Sequence, residues 1–213
     1  VAMAAIFTRA PSPVDVESDA LSPTVEAVDG KEVLTVENSA GNLQQMALEE
    51  YLVGVVLAEM PADFHPEALK AQSVAARTYA RKAAVTGGKH GDGTVCDAPG
   101  CCQAYISPEE YLSLGGSGES VAKVRQAVSA TESFVLTYEG ELIEAVYFSC
   151  SGGRTEAAVA VWGADFPYLQ AVESPGEEAA RYHTDSLLIP AEEFFALLEL
   201  EAPEDPAARF GEV

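Results

Sequence analysis

Residues 48–85 read LEEYLVGVVLAEMPADFHPEALKAQSVAARTYARKAAV, and this stretch decides the fold. Its first part carries a stripe of residues that recur at i, i+4, i+7 and i+11 and therefore share one side of a helix: Leu48, Leu52, Val55 and Glu59. Pro61 ends this helix, and Pro66 suits the first turn of a second helix, which continues to about Val85. The sequence therefore predicts two consecutive helices.

Extended runs lie on both sides of the helix pair. Glu32–Val36 and Leu43–Met46 flank a cluster of turn-forming residues, and Phe134–Tyr138 and Glu141–Phe148 flank a Glu-Gly turn. Each of these pairs predicts a β-hairpin. Further helices are expected near Ser107–Leu114, Ser120–Ala130 and Ala191–Glu199. We therefore expect an α+β fold in which the helix pair packs on a small antiparallel sheet.

The composition limits the classes of partner. The chain has 213 residues, 48% of them hydrophobic, which is enough for a buried core and excludes a fully disordered protein. Its 34 acids and 12 bases leave a net charge of -22, which repels nucleic-acid phosphates and anionic membrane surfaces. The apolar runs are shorter than the roughly 18 residues needed to cross a bilayer. We therefore expect no nucleic-acid partner and no membrane-spanning segment in this sequence.

Three regions differ in composition. Residues 1–30 contain Pro, Ser, Asp and Glu without sustained apolar periodicity, which indicates an N-terminal arm or linker such as one that follows a membrane anchor. Residues 31–172 hold most of the predicted elements and form the main domain. Residues 173–213 contain 11 acids and two bases, which predicts an acidic C-terminal lobe, part of a larger region. The first residue is Val1 rather than Met, which indicates a processed chain and is compatible with export.

Glu59 and a local group of bases form the first candidate site. Glu59 prolongs the apolar stripe of the first helix, where a carboxyl loses hydration and its neutral form is favoured. Residues 62–90 carry five bases against two acids, and Lys70 and Arg77, seven positions apart, share one side of the second helix. The alternative is structural: Glu59 caps or pairs near a helix end, and the bases form a solvated helix face.

The second candidate site is a group of metal-ligating residues in and just after a glycine-rich loop at 87–100, namely His90, Cys96, Cys101 and Cys102. Four such ligands could close around Zn²⁺ with tetrahedral geometry, and a closed site supports folding rather than Lewis-acid catalysis. We therefore expect a structural zinc and a zinc-stabilised loop. A disulfide, such as Cys96 with Cys102, and reduced core thiols are the alternatives, and Cys150 could replace His90 as the fourth ligand.

The stretch from Tyr51 to Tyr79 closely resembles the signature of the SpoIID/LytB family, the group of sporulation stage II protein D and the amidase enhancer, which acts on bacterial peptidoglycan. The resemblance covers residues 32–172 and continues through CQAY at 102–105, YFSCSGGRT at 147–155, VWG at 161–163 and PYL at 167–169. Family chains usually continue into a Gly-His-Gly-rich stretch with Met-Ser-Gln, which this sequence does not contain.

The resemblance implies lytic transglycosylase activity, the cleavage of the β-1,4 bond between N-acetylmuramic acid and N-acetylglucosamine in glycan that lacks stem peptides. The catalytic acid of the family corresponds to Glu59. It would protonate the glycosidic oxygen and then accept the proton of the muramoyl 6-hydroxyl as a 1,6-anhydro ring closes. Since the nucleophile comes from the substrate, no second carboxylate is required.

The family pattern also implies roles for other residues. Lys70 and Arg77 correspond to substrate-positioning groups and are expected at the edge of a glycan groove. Some members bind zinc through Cys and His of the same loop, although His is commoner at the position of Cys101. Gln103 and Tyr105 could line the groove through an amide and an aromatic face, although a buried Tyr is equally ordinary.

Two remaining features lie near the end of the resemblance. The turn at 149–155 could bring its backbone close to a sugar, with Ser149, Ser151 and Gly152 as the contacts, or it could be an ordinary tight loop. Trp162, the only Trp, could stack on a sugar, but a Trp inside an Ala/Val run is more often a core anchor, and we expect packing in the core.

The expected partners are peptidoglycan glycan strands and a cell-wall amidase or other sporulation proteins. The expected location is the cell envelope outside the cytoplasm, with membrane attachment only through an anchor that this sequence does not include. Two rival functions are a non-enzymatic wall-binding enhancer of an amidase and a zinc-stabilised scaffold in a sporulation complex.

Overall fold

The two helices predicted from residues 48–85 form with nearly the expected bounds. The computed structural model describes residues 24–27, 32–180 and 187–201. Helix α1 is Leu48–Glu59, and helix α2 is Pro66–Thr86. The N-terminus of α2 is capped by His65, whose Nδ1 accepts a hydrogen bond from the Glu67 N–H at 3.2 Å. Its C-terminus is followed by Gly87 in the left-handed conformation, with φ of 86°.

A third helix completes the helical core. After the short helix α3 (Pro108–Ser113), helix α4 spans Gly118–Ala130. It begins slightly earlier than expected because the Ser117 hydroxyl caps it by accepting a hydrogen bond from the Ser120 N–H. Helix α4 packs against both α1 and α2 and buries Val124, Ala127 and Val128. The core therefore forms among three helices rather than on the helix pair alone.

Helix α1 lies in the centre of this core. Every residue from Tyr51 to Leu57 is buried, so the middle of α1 is covered on all sides and not only along the predicted stripe. Removing one such Leu or Val side chain from water contributes about 1.5–3 kcal/mol. Glu59, the last residue of α1, is thus carried on a helix whose middle is fully buried.

The strands form two three-stranded sheets rather than the single antiparallel sheet that was expected. In one sheet, β1 (Thr24–Ala27) and β6 (Glu141–Leu142) each pair antiparallel with β5 (Phe134–Tyr138). The other is mixed: β2 (Val33–Glu37) pairs antiparallel with β3 (Leu43–Ala47) and parallel with β4 (Val95–Cys96). Both predicted hairpins are present, but the second has a much shorter return strand than Glu141–Phe148.

Other differences concern the ends of the domain. Strand β1 lies within the region expected to be an arm, whose residues 1–23 and 28–30 fall outside the described residues. The predicted Ala/Val run folds as helix α5 (Ala158–Trp162). The chain divides into two compact units, residues 1–180 and 181–213, and Glu173 and Glu177 of the first unit contact the 149–155 turn.

The second unit, residues 181–213, is described only at 187–201. Its helix α6 is Ala191–Leu197, within the range expected from the sequence. Within the described parts of the chain, no helix combines the length and apolar character needed to cross a bilayer.

Candidate functional site

The carboxyl of Glu59 is held by two segments that are distant in sequence. Helix α1 ends at Glu59 because Met60 is extended, with φ of -138°, and Pro61 follows. The half-buried Glu59 accepts a hydrogen bond at Oε1 from the Ala104 N–H at 2.8 Å. The hydroxyl of Tyr147 donates to the same oxygen at 3.4 Å. Oε1 is therefore engaged by two donors.

The second carboxyl oxygen of Glu59, Oε2, differs from Oε1 in its contacts with the described residues. Among the ranges that the structure describes, no group donates a hydrogen bond to Glu59 Oε2, and no ion pair to this carboxyl is found. Oε2 is also absent from the buried polar atoms without a partner, so it keeps contact with solvent. The two oxygens thus differ: one is fixed by the protein and the other is open.

Ala104 reaches Glu59 because the segment 103–106 runs beside helix α1. The Ile106 N–H donates to the Gly54 carbonyl at 3.3 Å, and the Tyr105 ring stacks on Tyr51 with centroids 5.7 Å apart. A Cβ at position 54 would lie 2.2 Å from a Tyr105 ring carbon, a distance that real contacts do not reach. Gly54 is therefore required for this close approach.

A series of hydrogen-bonded polar side chains holds the hydroxyl of Tyr147. The Tyr51 hydroxyl donates to Gln103 Oε1 at 3.5 Å, and Gln103 Nε2 donates to the Tyr147 hydroxyl at 3.0 Å. Burial, and next the Glu59 carboxylate, raise the pKa of Tyr147, so its hydroxyl keeps its proton. The hydrogen bonds of this series therefore run in one direction, from Tyr51 through Gln103 and Tyr147 to Glu59 Oε1.

Gln72 of α2 is a further buried amide beside this chain. Its side chain is 0% exposed, and it lowers the pKa of Tyr147 against the larger effect of burial. Neither polar atom of its side chain meets hydrogen-bond geometry with any group in the described part of the chain. Such a group costs about 1–3 kcal/mol when it stays unpaired. No sequence signal distinguishes Gln72 from the other polar residues of α2.

Arg77 is not at the edge of a groove. Its side chain is 0% exposed, and its guanidinium binds both carboxylate oxygens of Glu49, at 2.8 and 2.7 Å. It also donates to the carbonyls of Val128 and Phe134, each at 3.2 Å. These contacts fill the fork of the guanidinium, so Arg77 joins α1, α2, α4 and β5 and is not free to grip a substrate.

The other residues expected to line the groove are divided between interior and surface. Gln103 is 1% exposed and acts on Tyr147, whereas Tyr105 is half-buried by its stacking on Tyr51. Lys70 is partly exposed and forms an ion pair with Glu67 at 2.7 Å. Of these, Lys70 and Tyr105 keep surface that a ligand could reach.

The 149–155 turn is closed by an acid from the C-terminal segment. Glu177 Oε2 accepts hydrogen bonds from the Ser151 N–H and hydroxyl, both at 2.8 Å, and from the Gly153 N–H at 2.9 Å. Ser149 and Gly152 are exposed. Glu177 does not stand out in the sequence, because it is one of many acids in that segment. Tyr147 was not predicted as a site residue, although it begins the motif at 147–155.

Trp162 does not pack in the core. It is the last residue of α5 and is 56% exposed, and its neighbours Val159 and Val161 are also exposed. The expectation of a core anchor was wrong because helix α5 has only five residues and buries just one of them, Ala158.

The predicted cysteine cluster assembles as a group that could hold a metal ion. One ligand atom from each of four residues lies within 4.8 Å of the others: His90, Cys96, Cys101 and Cys102. Tetrahedral bonds to zinc of about 2.3 Å would separate such atoms by about 3.8 Å, so little movement is needed. All four cysteines are free thiols, and Cys150 lies instead against Glu177, at 3.5 Å.

The surroundings of this cluster favour a thiolate. Burial would raise the pKa of Cys96, but hydrogen bonds from the Ala98 N–H, His90, the Cys102 N–H and Cys101 outweigh it and lower the value to about 7. The hydrogen bond with Cys96 raises the pKa of Cys101 to about 11. His90 Nδ1 lies 3.6 Å from Glu37, so its Nε2, 3.6 Å from the Cys101 sulfur, is the ring atom turned to the cluster.

Comparison with known proteins identifies relatives of this chain. Residues 36–138 match the SpoIID family, described as stage II sporulation protein. The chain is 38% identical over 157 residues to stage II sporulation protein D of Bacillus subtilis (strain 168), covering 72% of this chain and 46% of that protein.

Two further relatives carry related names. The stage II sporulation protein D of Bacillus amyloliquefaciens is 40% identical over 141 residues, which cover 64% of this chain and 41% of that protein. The amidase enhancer of Bacillus subtilis (strain 168) is 42% identical over 118 residues, which cover 55% of this chain and 14% of that protein. The chain therefore spans less than half the length of these curated relatives.

Proposed function

Residues 36–138 place this chain in the family of stage II sporulation protein D and the amidase enhancer, and we propose that it is a peptidoglycan lytic transglycosylase with Glu59 as its acid and base. The observation that carries this proposal is the asymmetry of Glu59: Oε1 accepts hydrogen bonds from Ala104 and Tyr147, and Oε2 has no protein donor in the described structure and keeps contact with solvent. A carboxyl held in this way can exchange a proton with a ligand at one oxygen while the other fixes its orientation.

The first step is proton donation. Because Oε1 already accepts two hydrogen bonds, the proton of the neutral carboxyl resides on Oε2. Glu59 passes this proton to the glycosidic oxygen, and the bond from that oxygen to the anomeric carbon of the N-acetylmuramic acid breaks. The departing N-acetylglucosamine keeps the proton as its 4-hydroxyl. The Ala104 N–H and the Tyr147 hydroxyl stabilise the carboxylate that remains on Glu59.

The second step returns the proton. Glu59 accepts the proton of the muramoyl 6-hydroxyl as that oxygen bonds to the anomeric carbon and closes the 1,6-anhydro ring. Glu59 is then neutral again, and no water is consumed. The nucleophile is part of the substrate, so the enzyme needs no second carboxylate. General acid and base catalysis by a positioned side chain such as Glu59 raises the rate by roughly 10²–10⁴-fold.

Substrate contacts complete the proposal. Of the residues predicted to contact substrate, Lys70 and Tyr105 are partly exposed. Ser149, Ser151 and Gly152 lie in the 149–155 turn. Peptidoglycan glycan strands free of stem peptides are the substrate class, and the reaction takes place outside the cytoplasm, in the cell envelope.

The test is digestion of glycan strands from which the stem peptides have been removed. Wild type is expected to release products with 1,6-anhydro-muramoyl ends, identified by mass spectrometry, and Glu59→Gln is expected to release none above background. Glu109→Gln is the matched control, because Glu109 is an exposed acid on α3. Anhydro ends released by Glu59→Gln at the wild-type rate would remove Glu59 from the mechanism.

The identity with the amidase enhancer supports a second candidate function, that of a non-enzymatic wall-binding protein that stimulates an amidase. The same glycan preparation separates the two. Release of anhydro ends by the chain alone supports the transglycosylase. Binding without release, together with faster peptide cleavage when a cell-wall amidase is added, supports the enhancer.

We propose Zn²⁺ as the ion for the cysteine cluster, held by His90, Cys96, Cys101 and Cys102. Three thiols and an imidazole are a donor set that suits zinc, and one of the thiols already has a pKa near neutrality. Bound there, zinc would supply a cross-link between loop segments, and the four ligands would leave it a structural rather than a catalytic role. Because Cys102 is followed directly by Gln103 and Ala104, a metal in the cluster would also restrain the segment that contacts Glu59.

A further inference from the structure

Glu177 is a buried acid that the proposed reaction does not use. It is 8% exposed and lies 26 positions after Ser151. Oε2 accepts three hydrogen bonds from Ser151 and Gly153, and Oε1 accepts one from the Ser174 hydroxyl at 2.9 Å. A Cys150 Sγ contact at 3.5 Å completes the set. Every polar neighbour of this carboxyl is therefore a donor.

The ionised form of Glu177 matches these donors. Burial would raise its pKa, but the hydrogen bonds from the Gly153 N–H and from the Ser151 and Ser174 side chains outweigh it and lower the pKa to about 2. The backbone of the turn is shaped for this contact, since Gly152 and Gly153 have φ of 76° and 102°. Only glycine adopts such angles without strain, and they bring separate N–H groups to a single oxygen.

A second set of contacts ties the same two segments together. The Ser174 N–H donates to the Gly153 carbonyl at 2.9 Å, and the Thr155 N–H donates to the Val172 carbonyl at 2.8 Å. Residues 172–177 therefore run beside 151–155, with Glu177 at one end. The charged hydrogen bonds of Glu177 are the strongest of these ties.

The turn that Glu177 closes follows closely on Tyr147. Only three residues separate Tyr147 from Ser151, and Tyr147 belongs to no regular strand that would hold it by a ladder of backbone hydrogen bonds. Its hydroxyl must nevertheless remain within hydrogen-bond distance of Glu59 Oε1. Fixing the turn limits the positions that Tyr147 can adopt.

We propose that Glu177 is a positioning residue for the glycan-cleaving reaction, which acts by closing residues 150–153 and thereby holding the Tyr147 hydroxyl on Glu59. This inference rests on the proposed function. Glu177 itself touches neither Glu59 nor a substrate in this arrangement. Its effect on the rate is transmitted through Tyr147.

The experiment compares Glu177→Gln with Glu178→Gln, since Glu178 is the exposed neighbouring acid. On denuded glycan strands, Glu177→Gln is expected to lower kcat by about 10-fold or more with little change in KM, because a displaced catalytic group costs rate rather than affinity. Glu178→Gln is expected to match wild type. Wild-type kcat in Glu177→Gln would overturn the proposal.

Thiol labelling of Cys150 reports on the 149–155 turn and does not require that the protein cleaves glycan. Cys150 is the only cysteine of the tryptic peptide 126–154, so its labelling by a thiol reagent can be measured by mass spectrometry. Glu177→Gln is expected to increase the rate of Cys150 labelling several-fold, and Ser151→Ala, which removes one donor, is expected to increase it less. An unchanged labelling rate in both variants would overturn the closure of the turn. Because wild type and variants can be labelled even if no glycan is cleaved, failure of the reaction and failure of Glu177 are distinguishable.

The path through Tyr147 is tested by a double-mutant cycle. If Glu177 acts through Tyr147, Glu177→Gln should reduce kcat far less in a Tyr147→Phe background than in wild type. A merely structural role would lower kcat by the same factor in both backgrounds, and that additive result would overturn the proposal.

Discussion

The guanidinium of Arg77 binds the carboxylate of Glu49 through two parallel hydrogen bonds, of 2.8 and 2.7 Å, inside the three-helix core. The Arg77 side chain is 0% exposed, while that of Glu49 is 23% exposed. The pair links α2 to α1, and the remaining donors of Arg77 reach the ends of α4 and β5. One residue therefore fixes the relative positions of four elements.

Replacement of Arg77 by alanine should lower stability. Removing one partner of a buried ion pair costs about 3–5 kcal/mol, because the other charge and three backbone carbonyls lose their donors. Urea unfolding measures the change in the free energy of unfolding. Arg125→Ala is the matched control, since Arg125 pairs with Glu50 on the surface, where such a pair contributes about 0–1 kcal/mol. Normal stability with weakened glycan binding in Arg77→Ala would instead indicate a substrate contact.

Replacement of Gly54 by alanine should displace the segment that contacts Glu59. The new Cβ would lie 2.2 Å from the Tyr105 ring and 2.8 Å from the Ile106 carbonyl oxygen. Overpacking of this kind costs about 1–3 kcal/mol. We expect a lower melting temperature together with a reduced rate of glycan cleavage. Gly118→Ala is the control, because nothing lies within 4 Å of a Cβ at that position. It is expected to match wild type or exceed its stability.

Replacement of Tyr147 by phenylalanine should lower kcat by about 10-fold, since the carboxylate of Glu59 then loses one of its two donors at Oε1. Initial rates on denuded glycan measure the effect, and circular dichroism checks the fold. Tyr138→Phe is the control, because Tyr138 is a half-buried tyrosine whose ring packs against Tyr168 at a tilt of 45°, and no described hydrogen bond joins it to Glu59. Equal rates for both variants would place Tyr147 outside the reaction.

Zinc should be lost when a ligand is removed. Protein prepared without added metal is expected to contain about one zinc per chain, and Cys96→Ser is expected to bind it more weakly and to melt at a lower temperature. Cys150→Ser is the control and should keep the metal, because Cys150 contacts Glu177 instead of the cluster. Full zinc content in Cys96→Ser would assign the ion to other residues.

The stability of the domain should depend on Glu177 at acidic pH. The pKa of Glu177 is lowered to about 2 in the folded chain, against about 4.3 when unfolded. Its stabilising contribution is therefore complete above about pH 4.3 and is lost as the pH falls toward 2. Unfolding measured between these limits should show a weaker pH dependence in Glu177→Gln than in wild type. Parallel curves for the two proteins would contradict the lowered pKa.

Local patterns predicted the elements but not their associations. The helix pair follows from the apolar period and from Pro61 and Pro66, and the cysteine cluster follows from short spacings. Strand β1 was missed because four residues carry a weak pattern and gain their stability from β5, about 110 positions later. The burial of Arg77 was missed because a helical period places a side chain on a face without revealing what covers it.

The supports of the candidate site were hidden for a related reason. The donor from Ala104 to Glu59 is a backbone N–H, which any residue except proline supplies, so the sequence marks nothing at that position. Glu177 resembles the other acids of its segment until the Ser151 turn is placed beside it. Pairings between distant segments depend on the whole fold and leave no trace in a short window of sequence.

The two donors to Glu59 lie 45 and 88 positions further along the chain than the carboxyl itself. During synthesis the helix that bears Glu59 emerges from the ribosome long before Tyr147 has been translated. A nascent chain or a fragment that ends before Tyr147 therefore presents the acid without the hydroxyl that binds its Oε1. Under the proposed reaction, cleavage of glycan therefore requires a chain that extends beyond Tyr147.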